Sequence, residues 1–334
     1  MNAIDVHAHV IVPELLRDSA PAETWRPSVR WEGGRQIVEL GGRRISSAVR
    51  EFVELDIILA TQERAGIERV VLCPWVPLLF YEVDADEGMR RCRLQNDGLM
   101  RLRREYPDRV SVLGAVPLQE PEAASAELER LMGSGAFAGV EIAASVRGTY
   151  LGDARFEPFW AAAARTGALV FVHPTTQGLD ISVLRERYLW NLLGNPFETT
   201  IAAAHLVLAG VLERHPDANV LLAHAGGAIV SLGGRLRHGA ETIADAGARL
   251  TEPADVSVGR FLFDTITHDP AQLRALVEAV GAERVLLGSD YPFDMADPDP
   301  VGTVRAAGLD RREQEALLAG NAERLLGLGG AATG

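Results

Sequence analysis

The segment RVLLGSDYP, residues 284–292, is an apolar run without alternation that ends in a carboxylate, Asp290. The segments ALVFVHP (168–174) and NVLLAHAGG (219–227) have the same form and end in His173 and His224. A strand that is apolar throughout suits a parallel sheet covered on both faces, because a half-exposed strand would alternate. These segments therefore predict parallel strands with a polar residue at each carboxyl end.

Comparable runs recur along the chain, each followed by a turn signal and a helical pattern. The predicted strands lie near residues 3–6, 69–73, 110–116, 139–143, 169–172, 220–223, 261–264 and 285–288. The predicted helices cover residues 52–65, 87–106, 121–133, 156–166, 196–215, 269–280 and 311–326. Alternating strands and helices indicate βαβ units, and eight such units predict an α/β fold of the (β/α)8 TIM barrel type rather than an open doubly wound sheet.

The spacing of the elements predicts a single domain over residues 1–328. Residues 11–50 are too long for an ordinary connection, so we interpret them as an insertion after the first strand that covers the barrel mouth. Residues 175–195 form a second long loop, and residues 329–334 are expected to be a frayed tail.

Composition narrows the classes of function. The 334 residues carry a net charge of −13 with no basic block, which argues against a nucleic-acid partner. All 33 basic side chains are arginine, so a lysine Schiff base or a lysine-derived metal bridge is excluded. Two cysteines, no signal-peptide pattern and no apolar run long enough for a bilayer predict a cytoplasmic protein without a membrane partner.

The start of the chain, IDVHAHV at residues 4–10, adds two histidines to the set of strand ends. His7 and His9 are two residues apart on an extended strand, so their side chains point to the same side. The carboxyl ends of all strands meet on one face of a TIM barrel, which brings these imidazoles together with His173, His224 and Asp290. Three imidazoles, one carboxylate and water are a typical donor set for a divalent metal of the zinc type.

Other polar residues near these positions are interpreted more simply. Asp5 is expected on the same side as His7 and His9, where it would orient an imidazole. His268 follows the seventh strand, and two interpretations stay open for it: a structural or surface residue, or a residue behind the ligands. The remaining histidines are interpreted as structural or surface residues: His205, His215 and His238.

The motifs carry a family resemblance. The chain resembles the amidohydrolase superfamily in the order of its motifs, which is DxHxH, then His173, His224 and Asp290. Within that superfamily it resembles the decarboxylases related to aminocarboxymuconate semialdehyde decarboxylase. The segments that carry this second resemblance are LLGNPFETT, HAGG with GGRLRHG, FDTITHDP and RVLLGSDYPF. The resemblance implies one divalent ion, Zn²⁺ or alternatively Mn²⁺. The implied ligands are His7, His9, His173 and Asp290.

The resemblance also implies roles around the metal. His224 would be the acid/base, with Asp290 as an alternative proton shuttle. Arg235 would bind a substrate carboxylate from the neighbouring subunit, which implies a homodimer. The implied substrate-side residues are Trp190, Phe293 and an arginine of the first long loop, for which Arg44 is chosen over Arg43 and Arg50.

The implied activity is non-oxidative decarboxylation of a small unsaturated or aromatic carboxylic acid. Hydrolysis of a lactone or amide, or hydration of an unsaturated acid, is the alternative, because the same metal-activated water could perform it. The chain departs from the decarboxylase pattern after His173-Pro174, where Thr175 and Thr176 replace Trp-Asp. The substrate therefore remains open.

Overall fold

The computed structural model describes residues 3–33, 35–40, 42–45, 50–175, 179 and 181–328. In chain order the strands are β1 (Ala3–Val10), β2 (Ser28–Glu32), β3 (Arg35–Leu40), β4 (Arg43–Ile45), β5 (Ile67–Pro74), β6 (Val110–Gly114), β7 (Gly139–Ala143), β8 (Ser145–Val146), β9 (Thr149–Tyr150), β10 (Leu169–His173), β11 (Asn219–Leu222), β12 (Leu262–Asp264) and β13 (Val285–Leu286).

The helices surround the strands. In chain order they are α1 (Leu55–Arg64), α2 (Ala85–Glu105), α3 (Pro121–Gly133), α4 (Glu157–Thr166), α5 (Asn195–Leu208), α6 (Val211–Arg214), α7 (Ile229–Thr242), α8 (Ala244–Gly247), α9 (Ala254–Val258), α10 (Pro270–Val280), α11 (Pro300–Ala306), α12 (Arg311–Glu315) and α13 (Asn321–Leu325). A π-helical turn, Trp190–Gly194, leads into α5. None of the described helices combines the length and apolarity needed to cross a membrane.

Eight parallel strands form one sheet in the order β1-β5-β6-β7-β10-β11-β12-β13. Its two edges are joined by backbone hydrogen bonds from Val6 N to Leu287 O (2.9 Å), from His9 N to Tyr291 O (2.8 Å) and from Asp290 N to His7 O (2.8 Å). The sheet therefore closes on itself, and the predicted TIM barrel is confirmed.

The strands are apolar throughout because both of their faces are covered. In β10, Val170 and Val172 pack outward with the helices, while Leu169 and Phe171 belong to a separate cluster of buried residues in the barrel interior. Gly139 in the neighbouring strand shows how closely the strands approach, since a Cβ there would lie 1.9 Å from the carbonyl oxygen of Leu169. Only glycine fits at that position.

The insertion after β1 is more regular than a loop. Strands β2, β3 and β4 pair in an antiparallel three-stranded sheet, with Val29 opposite Val38. The side chain of Val38 is buried in the main core, whereas most of β2 is exposed. Short strands with one half-buried face give a weak alternating pattern, so the sequence did not predict this sheet.

One predicted helix is interrupted in the structure. The expected helix over residues 196–215 divides into α5 and α6 at Gly210, which has a φ of +67°. A Cβ at Gly210 would lie 2.7 Å from the carbonyl oxygen of Arg249. The break thus combines a left-handed conformation with a close backbone approach, and both requirements favour glycine.

Candidate metal centre

Four buried side chains meet at the carboxyl end of the barrel. His7 and His9 come from β1, His173 ends β10 and Asp290 follows β13, and one ligand atom from each lies within 4.8 Å of all the others. Asp290 Oδ1 is 3.1 Å from His7 Nε2, 3.3 Å from His9 Nε2 and 3.9 Å from His173 Nε2. The strand ends therefore bring these four residues together around one centre.

The second nitrogen of each imidazole is fixed by a hydrogen bond. His7 Nδ1 lies 2.8 Å from Asp264 Oδ2, His9 Nδ1 lies 2.9 Å from the carbonyl oxygen of Pro74, and His173 Nδ1 lies 2.8 Å from that of Pro174. Because these oxygens only accept, each Nδ1 is the donor and a neutral ring presents its Nε2 lone pair to the centre.

The resulting donor set suits a divalent metal. The Nε2 atoms of His7 and His9 are 3.1 Å apart, and His173 Nε2 and Asp290 Oδ1 have no hydrogen-bond partner among the described residues. Lone pairs that face one another at this distance repel unless a cation lies between them. Three imidazole nitrogens and one carboxylate oxygen, each with a fixed orientation, are a donor set that zinc and related ions accept.

The electrostatics of the cluster agree with metal binding. Burial lowers the pKa of His9, and it lowers the pKa of His173 to about 3, so both rings are neutral near pH 7. Burial would raise the pKa of Asp290, but the charge of His7 holds it well below its ordinary value. Burial would likewise lower the pKa of His7, but Asp290 and Asp264 raise it to about 10. A divalent cation at this centre would take the place of the proton on His7 Nε2.

Asp264 organises this face of the barrel, and sequence reasoning missed it. Its carboxylate accepts a hydrogen bond from His7 Nδ1 (2.8 Å) and from the backbone N–H groups of His224 (2.9 Å) and Ala225 (2.7 Å). The available signal was its position, because Asp264 closes the seventh barrel strand as Asp290 closes the eighth.

The prediction for Asp5 was wrong. The pairing of β1 with β5 shifts between Asp5 and Ala8, so simple alternation does not hold across this stretch. The Asp5 carboxylate accepts hydrogen bonds from the backbone N–H groups of His7 (2.9 Å) and Ser289 (3.1 Å) and from Gln62 Nε2 of α1 (2.9 Å). Asp5 thus joins the first strand to the last and to a helix, and it does not contact an imidazole ring.

Replacing Asp264 with Asn is expected to weaken metal binding about 10-fold to 100-fold, the usual effect of losing a carboxylate behind a ligating histidine. Asn keeps one oxygen for the backbone N–H groups of Ala225 and Ile266, but it replaces the charged oxygen that faces His7 Nδ1 with an amide N–H group. Competition with a chelating indicator would measure the affinity. Asp255→Asn is the control, since Asp255 pairs with Arg237 on the surface. Equal affinities of the Asp264 variant and the unaltered protein would contradict the role of Asp264.

His224 lies at the edge of the cluster. Its Nε2 is 3.4 Å from Asp290 Oδ2, and its Nδ1 has no hydrogen-bond partner among the described residues. His224 and Asp290 both have positive φ values, 54° and 62°, which are uncommon outside glycine and often mark functional sites. An imidazole held in this way can exchange protons beside the metal centre without being a ligand.

A cavity of about 360 Å³ opens onto the cluster. His173 and Asp290 line its base. Four aromatic side chains line it as well: Trp75, Tyr188, Trp190 and Phe293. The Phe293 ring lies 5.0 Å from the His9 ring, and the Tyr188 and Trp190 rings meet edge to face at 5.0 Å. The walls therefore suit a flat, conjugated ligand.

His224 lines a second, larger cavity of about 530 Å³, which also includes His268 and none of the four clustered residues. Asn191 and Asn195 line both of these cavities. His224 therefore sits where the two spaces adjoin, next to Asp290.

Of the other predicted residues, those whose side chains the structure describes lie outside this arrangement within one chain. Arg235 is exposed on α7 and does not line either cavity, so its role stays a prediction that requires a second subunit. Arg44 is placed in β4, but its side chain is outside the part of the chain that the structure describes, as are those of Arg43 and Arg50. His268 is exposed and is not one of the four clustered residues.

The other histidines have structural settings. His205 stacks on Tyr150 with ring centroids 5.0 Å apart, and His215 Nε2 lies 2.7 Å from Glu157 Oε1. His238 is exposed on α7.

The closed (β/α)8 barrel and the four side chains at its strand ends identify this chain as a barrel protein with a metal-binding site. The chain belongs to the amidohydrolase family, whose profile matches residues 4–328. It is 31% identical over 278 residues to 2-amino-3-carboxymuconate-6-semialdehyde decarboxylase of Dictyostelium discoideum, covering 82% of this chain and 76% of the relative. It is 26% identical over 350 residues to gamma-resorcylate decarboxylase of Rhizobium sp. (strain MTP-10005), covering 98% and 99%.

Solved structures show the same fold at low identity. The 5-carboxyvanillate decarboxylase of Sphingomonas paucimobilis superposes with a TM-score of 0.82 at 23% identity, covering 97% of this chain and 98% of that one. The 5-carboxyvanillate decarboxylase of Novosphingobium aromaticivorans, solved with manganese and 4-hydroxy-3-methoxy-5-nitrobenzoic acid, also gives 0.82 at 19% identity, covering 98% and 96%.

Proposed function

We propose that this chain is a carboxy-lyase that decarboxylates a small aromatic or conjugated carboxylic acid with the help of one divalent metal ion. The observation that carries the proposal is the buried cluster of His7, His9, His173 and Asp290, with His224 beside it and an aromatic-walled cavity above it. The relatives with the highest similarity reported above are named as decarboxylases, which favours this reaction over hydrolysis.

The metal would be held by His7, His9 and His173 through Nε2 and by Asp290 through Oδ1. A single ion is proposed, because the chain has no lysine to form a carboxylated bridge between two metals. Zinc suits a site with three imidazoles, and manganese is the alternative, supported by the fold neighbour solved with that metal. When bound, the ion supplies positive charge that polarises the acidic substrate.

The chain's own residues would manage position and protons. Decarboxylation breaks the bond between the ring carbon and the carboxylate, releases carbon dioxide and adds one proton to that carbon. His224 is proposed to deliver this proton, with Asp290 as its partner at 3.4 Å. Trp190 and Phe293 would hold the ring in the cavity and exclude water.

The assembly is also part of the proposal. A homodimer would bring Arg235 of one protomer to the substrate carboxylate in the other, through paired charge-assisted hydrogen bonds. We further propose that residues 1–328 form one domain, with 11–50 as the insertion over the mouth, and that the protein acts in the cytoplasm.

The direct test is incubation of the metal-loaded protein with a panel of hydroxybenzoates and, separately, with a panel of lactones and amides. We expect carbon dioxide and the decarboxylated ring in equal amounts from at least one acid, and loss of this activity after chelation. Hydrolysis of a lactone or amide without carbon dioxide from any acid would identify a hydrolase instead.

A further inference from the structure

The motif LLGNPFETT, residues 192–200, contains buried polar side chains that the proposed reaction does not use. Glu198, Thr199 and Thr200 are 0%, 0% and 7% exposed, and they lie in the first two turns of α5. Buried polar groups in native proteins are nearly always hydrogen-bonded. The partners of these three side chains therefore show which parts of the barrel the motif holds in place.

The Glu198 carboxylate holds the loop that follows His173. Its Oε2 accepts a hydrogen bond from the backbone N–H of Thr175 at 2.7 Å, and its Oε1 accepts one from Ser145 Oγ at 3.2 Å. Thr175 is two residues beyond the proposed metal ligand and lines the 360 Å³ aromatic-walled cavity. Glu198 therefore fixes one edge of that cavity.

The Thr200 hydroxyl holds the loop that follows His224. Its Oγ1 accepts a hydrogen bond from the backbone N–H of Ala228 at 2.8 Å and donates one to the carbonyl oxygen of Pro196 at 2.7 Å. Ala228 immediately precedes α7 and has no polar side chain that could cap this helix. Thr200 therefore fixes both the end of the loop and the start of the helix that carries Arg235.

The same loop packs directly against the first turn of α5. A Cβ at Gly227 would lie 2.2 Å from the carbonyl oxygen of Pro196 and 2.5 Å from Thr200 Oγ1, and Gly227 has a φ of +63°. Only glycine combines so close an approach with a positive φ. The HAGG motif, residues 224–227, and the LLGNPFETT motif are thus two sides of one contact.

Glu198 and Thr200 reach loops on opposite sides of α5. Residues two apart on an α-helix point about 200° apart around its axis. Thr175 follows strand β10, whereas Ala228 follows the neighbouring strand β11. One helix therefore sets the relative positions of the two loops that follow the proposed metal ligand and the proposed acid/base.

We propose that Glu198 and Thr200 are positioning residues for the decarboxylation, and this inference rests on the proposed function. Glu198 holds the cavity wall beside the metal centre, and Thr200 holds His224 at the distance from which it delivers its proton. Neither side chain lines the 360 Å³ or the 530 Å³ cavity, so each acts through a backbone N–H group. The two residues should therefore affect different kinetic constants, KM for Glu198 and kcat for Thr200.

Thr200→Val removes the hydroxyl and keeps the shape of the side chain. We expect kcat to fall about 10-fold, with KM and metal content close to those of the unaltered protein, because the Ala228 N–H loses its acceptor and His224 loses its fixed position. Thr200→Ser keeps the hydroxyl and should restore most of kcat. Thr200→Ala removes the same hydroxyl with a smaller side chain and is the second variant if Thr200→Val does not fold.

The matched control is Thr199→Val. Thr199 is equally buried in the same turn, but its hydroxyl donates to the carbonyl oxygen of Asn195 within its own helix, at 3.2 Å. This variant should keep both kcat and KM. An equal loss of kcat in Thr199→Val, or an unchanged kcat in the Thr200 variants that lack the hydroxyl, would overturn the role of Thr200.

Glu198→Met removes both acceptor oxygens at nearly constant volume. We expect KM to rise about 10-fold with a smaller change in kcat, because the Thr175 N–H and the cavity wall to which it belongs lose their anchor. Glu198→Gln keeps an oxygen for Thr175 and should restore most of the affinity, and Glu198→Ala is the second variant if Glu198→Met does not fold. A fall in kcat without a rise in KM, or equal impairment in Glu198→Gln, would contradict the role of Glu198.

Amide hydrogen exchange tests the two anchors without the reaction. In the metal-loaded protein, the Ala228 amide should exchange faster in Thr200→Val and the Thr175 amide faster in Glu198→Met, each variant leaving the other amide unchanged. Benzoate should bind more weakly to Glu198→Met than to Thr200→Val. If these results hold while no acid is decarboxylated, the anchors stand and the proposed function fails. If acids are decarboxylated but neither amide changes its exchange rate, the positioning roles fail.

Discussion

Replacing His173 with Ala is expected to abolish metal retention and reduce turnover by about 10³-fold or more, since the several kcal/mol of charge stabilisation that a catalytic metal supplies are lost. His173 Nε2 lies 3.9 Å from Asp290 Oδ1 and has no hydrogen-bond partner among the described residues, which leaves it available for the proposed metal. Elemental analysis of the purified protein and the rate of carbon dioxide release would measure both effects.

The control for this variant is His205→Ala. His205 is a partly exposed histidine on α5 that stacks on Tyr150, away from the barrel centre. We expect the His205 variant to keep its metal content and its rate of carbon dioxide release. A His173 variant that binds a full equivalent of metal and turns over normally would contradict the assigned ligand set.

Metal removal from the unaltered protein should have the same consequence as the His173 variant and should be reversible. After chelation, addition of zinc or manganese is expected to restore carbon dioxide release. The mixed nitrogen and oxygen donors of the site accept both zinc and manganese. Comparing kcat/KM with one equivalent of each metal per chain would show which ion supports the reaction better.

Replacing His224 with Ala is expected to reduce kcat about 10²-fold to 10⁴-fold, the usual contribution of a general acid or base, while the metal content stays at one equivalent. The reason is geometric. His224 Nε2 lies 3.4 Å from Asp290 Oδ2, whereas Oδ1 of the same carboxylate is the proposed metal ligand. Single-turnover measurements with substrate in the aromatic-walled cavity would isolate the chemical step.

His268→Ala is the matched control for His224. Both histidines line the same 530 Å³ cavity and follow neighbouring barrel strands, but His268 is exposed, and His224 is the one that lies 3.4 Å from Asp290. Its kcat should be close to that of the unaltered protein. If the His224 variant keeps more than about a tenth of kcat, His224 is not the residue that transfers the proton.

Much of the fold could be predicted because the barrel strands carry a local signal. Strand β10 is buried on both faces, which leaves an apolar run in the sequence that ends at His173. The antiparallel sheet of the insertion has no such signal, since its strands are short and partly exposed. The break at Gly210 was also hidden, because a single glycine within a helical pattern is ambiguous without its neighbour Arg249.

The polar positions of the site could be predicted as strand ends, and the family resemblance added Trp190 and Phe293, which line the cavity above the cluster. The polar residue that closes a strand can be identified from the sequence, which places His7, His9, His173 and Asp290 on one face. The partner behind His7 could not be deduced, and Asp5 was chosen where the structure has Asp264. A register shift within β1 caused this error, and such a shift depends on pairing with β5 rather than on the local sequence.

The sequence by itself determined that this protein is a parallel barrel with a metal-type donor set, because strand burial and alternation are local properties with a period of two residues. Only the tertiary structure decided which nitrogen of each imidazole faces the centre. That choice depends on the oxygen atoms of Asp264, Pro74 and Pro174, which accept the hydrogen bonds from the three Nδ1 atoms.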